Sequence, residues 1–352
     1  MRENSPGNGR GIAYFIDFSI QEIPSIVYIA YETGGTIYTD SEQTYTFLAE
    51  QHPTLSVSLG ETIAAIKAKM VQDRVKVIVY PDYHIRYFRD LPGVKHVQVF
   101  HGTSDKRYDY SKEVSEYDLF FISGKAAFER YEKRGLLKNN KGILIGYPKL
   151  DRVFRGEIDR DAELLKIGLD PLKKTVLYAP TWVDRAYNSS WKKFRQAIAS
   201  DIPEDLNLIV KLHPNIKRYR PGEVEDFARA LSRWKSARLF EVDPDPVPRM
   251  AASDLLMGDV SAVTREFLAF RRPFLFLSSK PTWLWSRQKT ALWECGEVVN
   301  APEKLWEAVR RALADPGRYT PAIGRQLDRT FYKPDGKAAQ RAKEAIYRLL
   351  AA

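Results

Sequence analysis

The sequence predicts an α/β protein built from two doubly wound, Rossmann-like domains facing a cleft, and three observations carry that expectation. Short apolar, β-rich runs alternate with helix-like segments, a rhythm that calls for parallel strands joined by right-handed crossovers. The same series begins afresh near residue 174. A chain of 352 residues also exceeds the size at which one hydrophobic core usually keeps growing.

Residues 25–31 read as the first strand, a run of β-branched and aromatic side chains, and residues 58–72 carry helical periodicity. Val75-Lys76-Val77-Ile78-Val79-Tyr80 is a strand ended by Pro81. Strands at 94–100 and 118–122 follow, then a helix at about 125–134 and a strand at 143–145 that closes at Gly146-Tyr147-Pro148. The polar stretch 155–170 reads as the connection. The second series runs strand 174–179 with the breaker Pro180, helix 191–200, strand 207–212, helix 223–235 and strand 237–242. A short helix and a strand share 250–256, a helix covers 263–269, and a strand covers 273–277. Asp335-Gly336 opens a last helix, 337–350, expected to cross back over the first domain. The expected division is therefore 1–155, 156–330 and a C-terminal helical segment 331–352. Two such domains, with a nucleotide held by the second, resemble the GT-B glycosyltransferase outline.

Composition narrows the class. Hydrophobic residues make up 44% and charged residues 28%, which suits a packed soluble core. There is no run of about 18 apolar residues, and Met1-Arg2-Glu3-Asn4-Ser5-Pro6-Gly7 lacks the apolar stretch of a signal peptide, so a cytoplasmic protein is expected. The single cysteine, Cys295, excludes an internal disulfide and a cysteine-rich zinc site. A net charge of +10 calls for an anionic counterpart: nucleic acid, an anionic membrane surface, or phosphorylated substrates. Zinc-finger spacing, an RNP motif and aromatic-basic interleaving are absent from the sequence, which disfavours nucleic acid. Acidic clusters with ligand spacing are absent too, so neither a metal nor a cofactor is expected.

Two of the five histidines follow strands: His101, in His101-Gly102-Thr103 after Val97-Gln98-Val99-Phe100, and His213, in Lys211-Leu212-His213-Pro214. In open α/β sheets ligands bind beyond the carboxyl ends of the strands, so imidazoles there are placed for chemistry. Gly258-Asp259-Val260-Ser261 forms a polar turn between an apolar strand and a helix that carries Arg265, Glu266 and Phe267. Ser261 is a good N-cap, and the amides of such a helix start suit a phosphate. His84, after Pro81-Asp82-Tyr83, is a further candidate for a cleft, whereas His96 reads as structural. Trp283-Leu284-Trp285 lies near Lys280, Arg287 and Lys289, a mixture that fits either a membrane interface or an ordinary loop.

Taken in order, Phe100-His101-Gly102-Thr103 with Lys106, Gly146-Tyr147-Pro148-Lys149-Leu150-Asp151, Val176 to Trp182, Lys211-Leu212-His213-Pro214, residues 254–261, and Asp335-Gly336-Lys337 resemble the CDP-glycerol glycerophosphotransferase family, which includes teichoic acid primases and polymerases. The resemblance spans about 75–350. It implies transfer of glycerol phosphate from CDP-glycerol to a hydroxyl of a polyprenyl diphosphate-linked saccharide or a growing polyol phosphate chain, with release of CMP, by a protein at the inner face of an anionic membrane. It further implies that His101 is the base and that His213 donates to the phosphates or glycerol of the donor. Gly102, Thr103, Pro180, Thr181, Lys211, Gly258, Asp259 and Ser261 would shape the donor pocket, with Lys106 and His84 on the acceptor side.

Two departures stand out. Ser104-Asp105-Lys106 replaces the family's Pro-Leu-Lys, and Ser261 is followed by Ala262 where a second serine is frequent. The alcohol therefore stays open among CDP-glycerol, CDP-ribitol and other CDP-alcohols. A hexosyltransferase or a nucleotide-sugar 2-epimerase of the same two-domain outline would use a UDP-sugar instead. A non-catalytic protein that binds an anionic polymer is the alternative of a different class.

Overall fold

The computed structural model describes residues 9–100, 111–137, 141–182, 189–281, 284 and 291–351. The chain divides into two units, Met1–Arg155 with Asp328–Ala352, and Gly156–Leu327.

The first unit holds a seven-stranded sheet of β1 (Ile12–Phe15), β2 (Thr36–Thr39), β3 (Ser56–Leu59), β4 (Val77–Tyr80), β5 (Lys95–Gln98), β6 (Leu119–Ile122) and β7 (Gly142–Leu144). Every pairing is parallel, in the order β3-β2-β1-β4-β5-β6-β7. The order reverses between β1 and β4, which makes their carboxyl ends the switch point of this sheet. Alternate residues feed two cores: Ile12, Tyr14, Val77 and Val79 enter one, Ala13, Phe15, Ile78 and Tyr80 the other. Parallel strands covered on both faces take this form.

Residues 25–31, expected to be a strand, lie instead in helix α1 (Ile23–Thr33). Pro24 suits the first turn, and the helix buries Ile26, Val27, Ile29 and Ala30. A helix buried on several sides loses its amphipathic signature and reads like a strand. The first strand is instead the shorter β1. Helices α2 (Glu42–Gln51) and α3 (Ile63–Gln72) follow β2 and β3, so the helix expected from residue 58 begins five residues later, after β3. Helix α4 (Lys125–Lys133) precedes β7, and the short helix α5 (Asp151–Phe154) ends the first pass through this unit.

The stretch 155–170 is not a bare connection, for it contains helix α6 (Arg160–Lys166). Asp159 caps that helix by accepting from the amides of Asp161 and Ala162, and Arg160 ties it to Asp254 at 2.9 Å. The second unit then builds a six-stranded parallel sheet of β8 (Lys174–Ala179), β9 (Leu206–Lys211), β10 (Ala237–Phe240), β11 (Leu255–Gly258), β12 (Phe274–Leu277) and β13 (Gly296–Val299), in the order β10-β9-β8-β11-β12-β13. Its switch point lies between β8 and β11. The strand β13 was not legible in the sequence. Helices α7 (Trp191–Ser200), α8 (Pro214–Tyr219), α9 (Pro221–Leu231), α10 (Val247–Ala251), α11 (Ala262–Phe267), α12 (Leu305–Ala314) and α13 (Thr320–Thr330) complete the series. Trp191, Phe194, Phe227, Leu305 and Val309 cover one face of the sheet.

The last helix, α14 (Ala338–Ala351), belongs to the first unit. Both carboxylate oxygens of the buried Asp151 accept from its first amides, those of Ala338 and Ala339, at 3.0 and 2.8 Å. Ala342, Ala345 and Ile346 join the core of α1, and the Tyr347 hydroxyl donates to the Thr33 carbonyl at 2.9 Å.

Candidate active site

In the second unit the carboxyl ends of the neighbouring strands β9, β8 and β11 gather Lys211 and His213, Pro180 and Thr181, and Gly258, Asp259 and Ser261. Gly258 pairs in register with Ala179, and a Cβ on it would come within 2.7 Å of the Ala179 carbonyl oxygen. Only glycine lets β11 end that close to β8.

Asp259, 3% exposed, reaches across the switch point. Its Oδ2 accepts from the Thr181 amide at 2.7 Å and its Oδ1 from the Ser190 amide at 2.8 Å. The Ser189 hydroxyl donates to the Thr181 carbonyl at 2.6 Å, closing the same knot. Asp259, expected in the donor pocket, thus braces both described ends of the segment after β8, at Thr181 and at Ser190. Burial, and then the nearby Asp259 carboxylate, push the phenol of Tyr178 well up. Ser261 caps α11 by accepting from the Thr264 amide, and the Thr264 hydroxyl donates to the Asp259 carbonyl.

His213 caps α8. Its Nδ1 accepts from the Asn215 amide at 3.2 Å, so the neutral ring carries its proton on Nε2 and acts there as a donor. Its ring lies 6.3 Å from that of Trp182, which in turn lies 6.2 Å from Tyr219. Lys211, 8% exposed, ends β9 two residues before it. Asn215, which sets the tautomer, and Ser189 and Ser190, which complete the brace, were missed in the sequence. The Pro-Asn after His213 is a local signal that could have found the first, whereas nothing local marks the serines.

In the first unit His84 is 6% exposed, on the segment after β4, with its Nε2 3.4 Å from Oε2 of Glu22. His96 is buried with its Nδ1 2.8 Å from the Tyr80 hydroxyl, and burial pushes its pKa down. His101, Gly102, Thr103 and Lys106 lie outside the described residues, as do Trp283 and Trp285. Burial pushes the Cys295 thiol up to about 12, so it is an inert core group.

The family described as CDP-Glycerol:Poly(glycerophosphate) glycerophosphotransferase matches residues 15–348. The chain belongs to this family. Among its relatives, the teichoic acid poly(glycerol phosphate) polymerase of Bacillus subtilis (strain 168) is 23% identical over 70% of this chain and 34% of its own length. The teichoic acid glycerol-phosphate primase of the same strain is 25% identical over 65% of this chain and 63% of its own. The chain thus spans about a third of that polymerase and under two thirds of that primase. Among solved structures, the wall teichoic acid polymerase TagF superposes with a TM-score of 0.69 at 15% identity, covering 97% of this chain and 89% of that one. A Staphylococcus aureus MnaA–UDP co-structure superposes with a TM-score of 0.63 at 16% identity, covering 97% and 96%. At these identities the superpositions show that this glycerophosphotransferase family member shares the two-sheet α/β fold of both.

Proposed function

We propose that the protein transfers glycerol phosphate, or a related polyol phosphate, from a CDP-alcohol to a hydroxyl of a lipid-linked saccharide or polyol phosphate chain. The observation that carries this reading is the family match across 15–348, which takes in both units. The acceptor oxygen bonds to the phosphorus that bears the alcohol, the bond from that phosphorus to the bridging oxygen breaks, and CMP leaves with the electron pair. The acceptor's proton passes to a base, the role that the resemblance gives to His101.

The second unit supplies what the donor needs. The Nε2–H of His213 donates to a phosphate oxygen, and Lys211 adds positive charge nearby as charge builds on the leaving group. The loop after β8, fixed by Asp259, shapes the floor of the pocket. The first unit takes the acceptor, with His84 and Lys106 on that side. No helix among the described residues is long and apolar enough to cross a membrane. The net charge of +10 would draw the protein to the anionic surface that carries a lipid-linked acceptor.

The test is a thermal-shift panel of CDP-glycerol, CDP-ribitol, CMP, UDP-sugars and UDP. A ligand at about 100 times its dissociation constant adds roughly 2.7 kcal/mol of stability. Selective stabilisation by CDP-alcohols, followed by CMP release when an acceptor is added, is expected. A response to UDP compounds alone would sink the reading in favour of a hexosyltransferase or epimerase.

A further inference from the structure

The linear sequence shows no acidic cluster with metal-ligand spacing, but folding assembles one at the switch point of the first sheet. Asp17 lies two residues past β1, Glu22 closes the short 3-10 turn before α1, and His84 lies four residues past β4. One ligand atom from each falls within 4.8 Å of the others. We propose that Asp17, Glu22 and His84 form a divalent-cation site with two carboxylate oxygens and one imidazole nitrogen as ligands.

Three features of the geometry favour a cation over a plain ion pair. The 3.4 Å between His84 Nε2 and Glu22 Oε2 is long for a charged hydrogen bond, yet about 3.4 Å is the edge of a tetrahedron whose metal–ligand bonds are about 2.1 Å. The second imidazole nitrogen, Nδ1, is buried with no hydrogen-bond partner, so the ring has an unfilled position in either tautomer. The ring is also held in place, edge-on to Phe15 at 5.4 Å and stacked near Tyr87 at 6.1 Å, which pre-orients it as a ligand.

Electrostatics point the same way. The charges of Glu22, Asp17 and Asp82 all act on the His84 imidazole, so three carboxylates surround this nitrogen ligand. Burial, with the Asp17 carboxylate adding to it, raises the pKa of Asp40, which places a fourth carboxyl near the set. One oxygen of Asp17 is spent on the Ser19 amide at 2.7 Å, and the other remains to ligate. Asp17 is half-buried, whereas Glu22 is 2% exposed. One nitrogen with two oxygens suits Mn²⁺ or Zn²⁺ and lacks the thiolates that softer ions prefer. Three protein ligands leave a coordination position open, and a switch-point crevice is where such a sheet binds an oxygen-bearing ligand.

The experiment uses the full chain without an affinity tag, stripped of metal, and does not depend on turnover. Mn²⁺ is titrated by electron paramagnetic resonance and Zn²⁺ by competition with a chromophoric chelator. One ion per chain is expected, with affinity lowered at least about tenfold in both Asp17→Asn and His84→Ala and unchanged in His52→Ala. Should His84→Ala fail to fold, the half-exposed Asp17→Asn carries the comparison. Absence of stoichiometric binding to the wild-type chain at millimolar Mn²⁺ and Zn²⁺ overturns the proposal. Binding that survives both substitutions undiminished places the ion elsewhere and overturns it equally.

Discussion

The two sheets obey one topological rule but furnish their switch points with opposite chemistry. In the second unit Asp259, at the switch point, accepts a backbone amide on each carboxylate oxygen and serves as a brace. In the first unit Asp17, Glu22 and His84 are brought together with a buried imidazole nitrogen left over. The donors that folding brings differ: both oxygens of Asp259 accept from amides, whereas one oxygen of Asp17 does. Residue type alone does not decide between the two.

The sharpest way to break this comparison is to remove the brace. Asp259→Ala leaves two amides without their buried acceptor and should cost the second unit about 3 kcal/mol, since each hydrogen bond to a charged group is worth about 1.5–3 kcal/mol. Hydrogen exchange would show protection lost around Thr181 and Ser190 while the first sheet keeps its own. Equal loss in both units would mean that Asp259 has a wider role than the contacts assign. Next in size, His213→Ala removes a donor to phosphate and should weaken CDP-alcohol binding about 10- to 100-fold by calorimetry. Unchanged donor affinity would take His213 out of the pocket.

On the first-unit side, Asp151→Ala uncaps α14 and should cost about 2 kcal/mol, read from denaturant unfolding with probes on Tyr347 and the α1 core. A loss within 0.5 kcal/mol would show that packing of Ala342, Ala345 and Ile346 suffices. The smallest expected effect concerns pH. Burial pushes the Asp254 carboxyl up, but the Thr175 amide and the Arg160 guanidinium outweigh it and hold its pKa below the usual carboxylate range. A folded pKa below the unfolded one stabilises above about pH 4, and that contribution fades as pH falls through the folded value. Asp254→Asn should flatten the acid limb of the second unit's stability profile by about 1 kcal/mol, and an unaltered limb would rule Asp254 out as its origin.

Legibility also differed between the units. In the second, β8, β9, β11 and β12 are apolar runs flanked by Pro180, Pro214, Gly258 and Pro273, so each announces itself locally. In the first, β2 (Thr-Ile-Tyr-Thr) and β3 (Ser-Val-Ser-Leu) are short and half polar, and the most strand-like run, 25–31, is a helix because α14 and the sheet bury it together.

By itself the sequence determined the α/β class, the restart of the pattern in the second unit, and the residues that end its strands, because apolar runs and their breakers are local information. Strand order was decided only by tertiary structure, and with it which strand ends meet at a switch point. Asp259 finds Thr181 across 78 positions and His84 finds Glu22 across 62, distances over which only packing of the whole sheet selects the partner. Solvation follows the same division. Whether a carboxylate meets amides or another ionisable group depends on what folding places beside it, and that neighbour sets both its charge and its use.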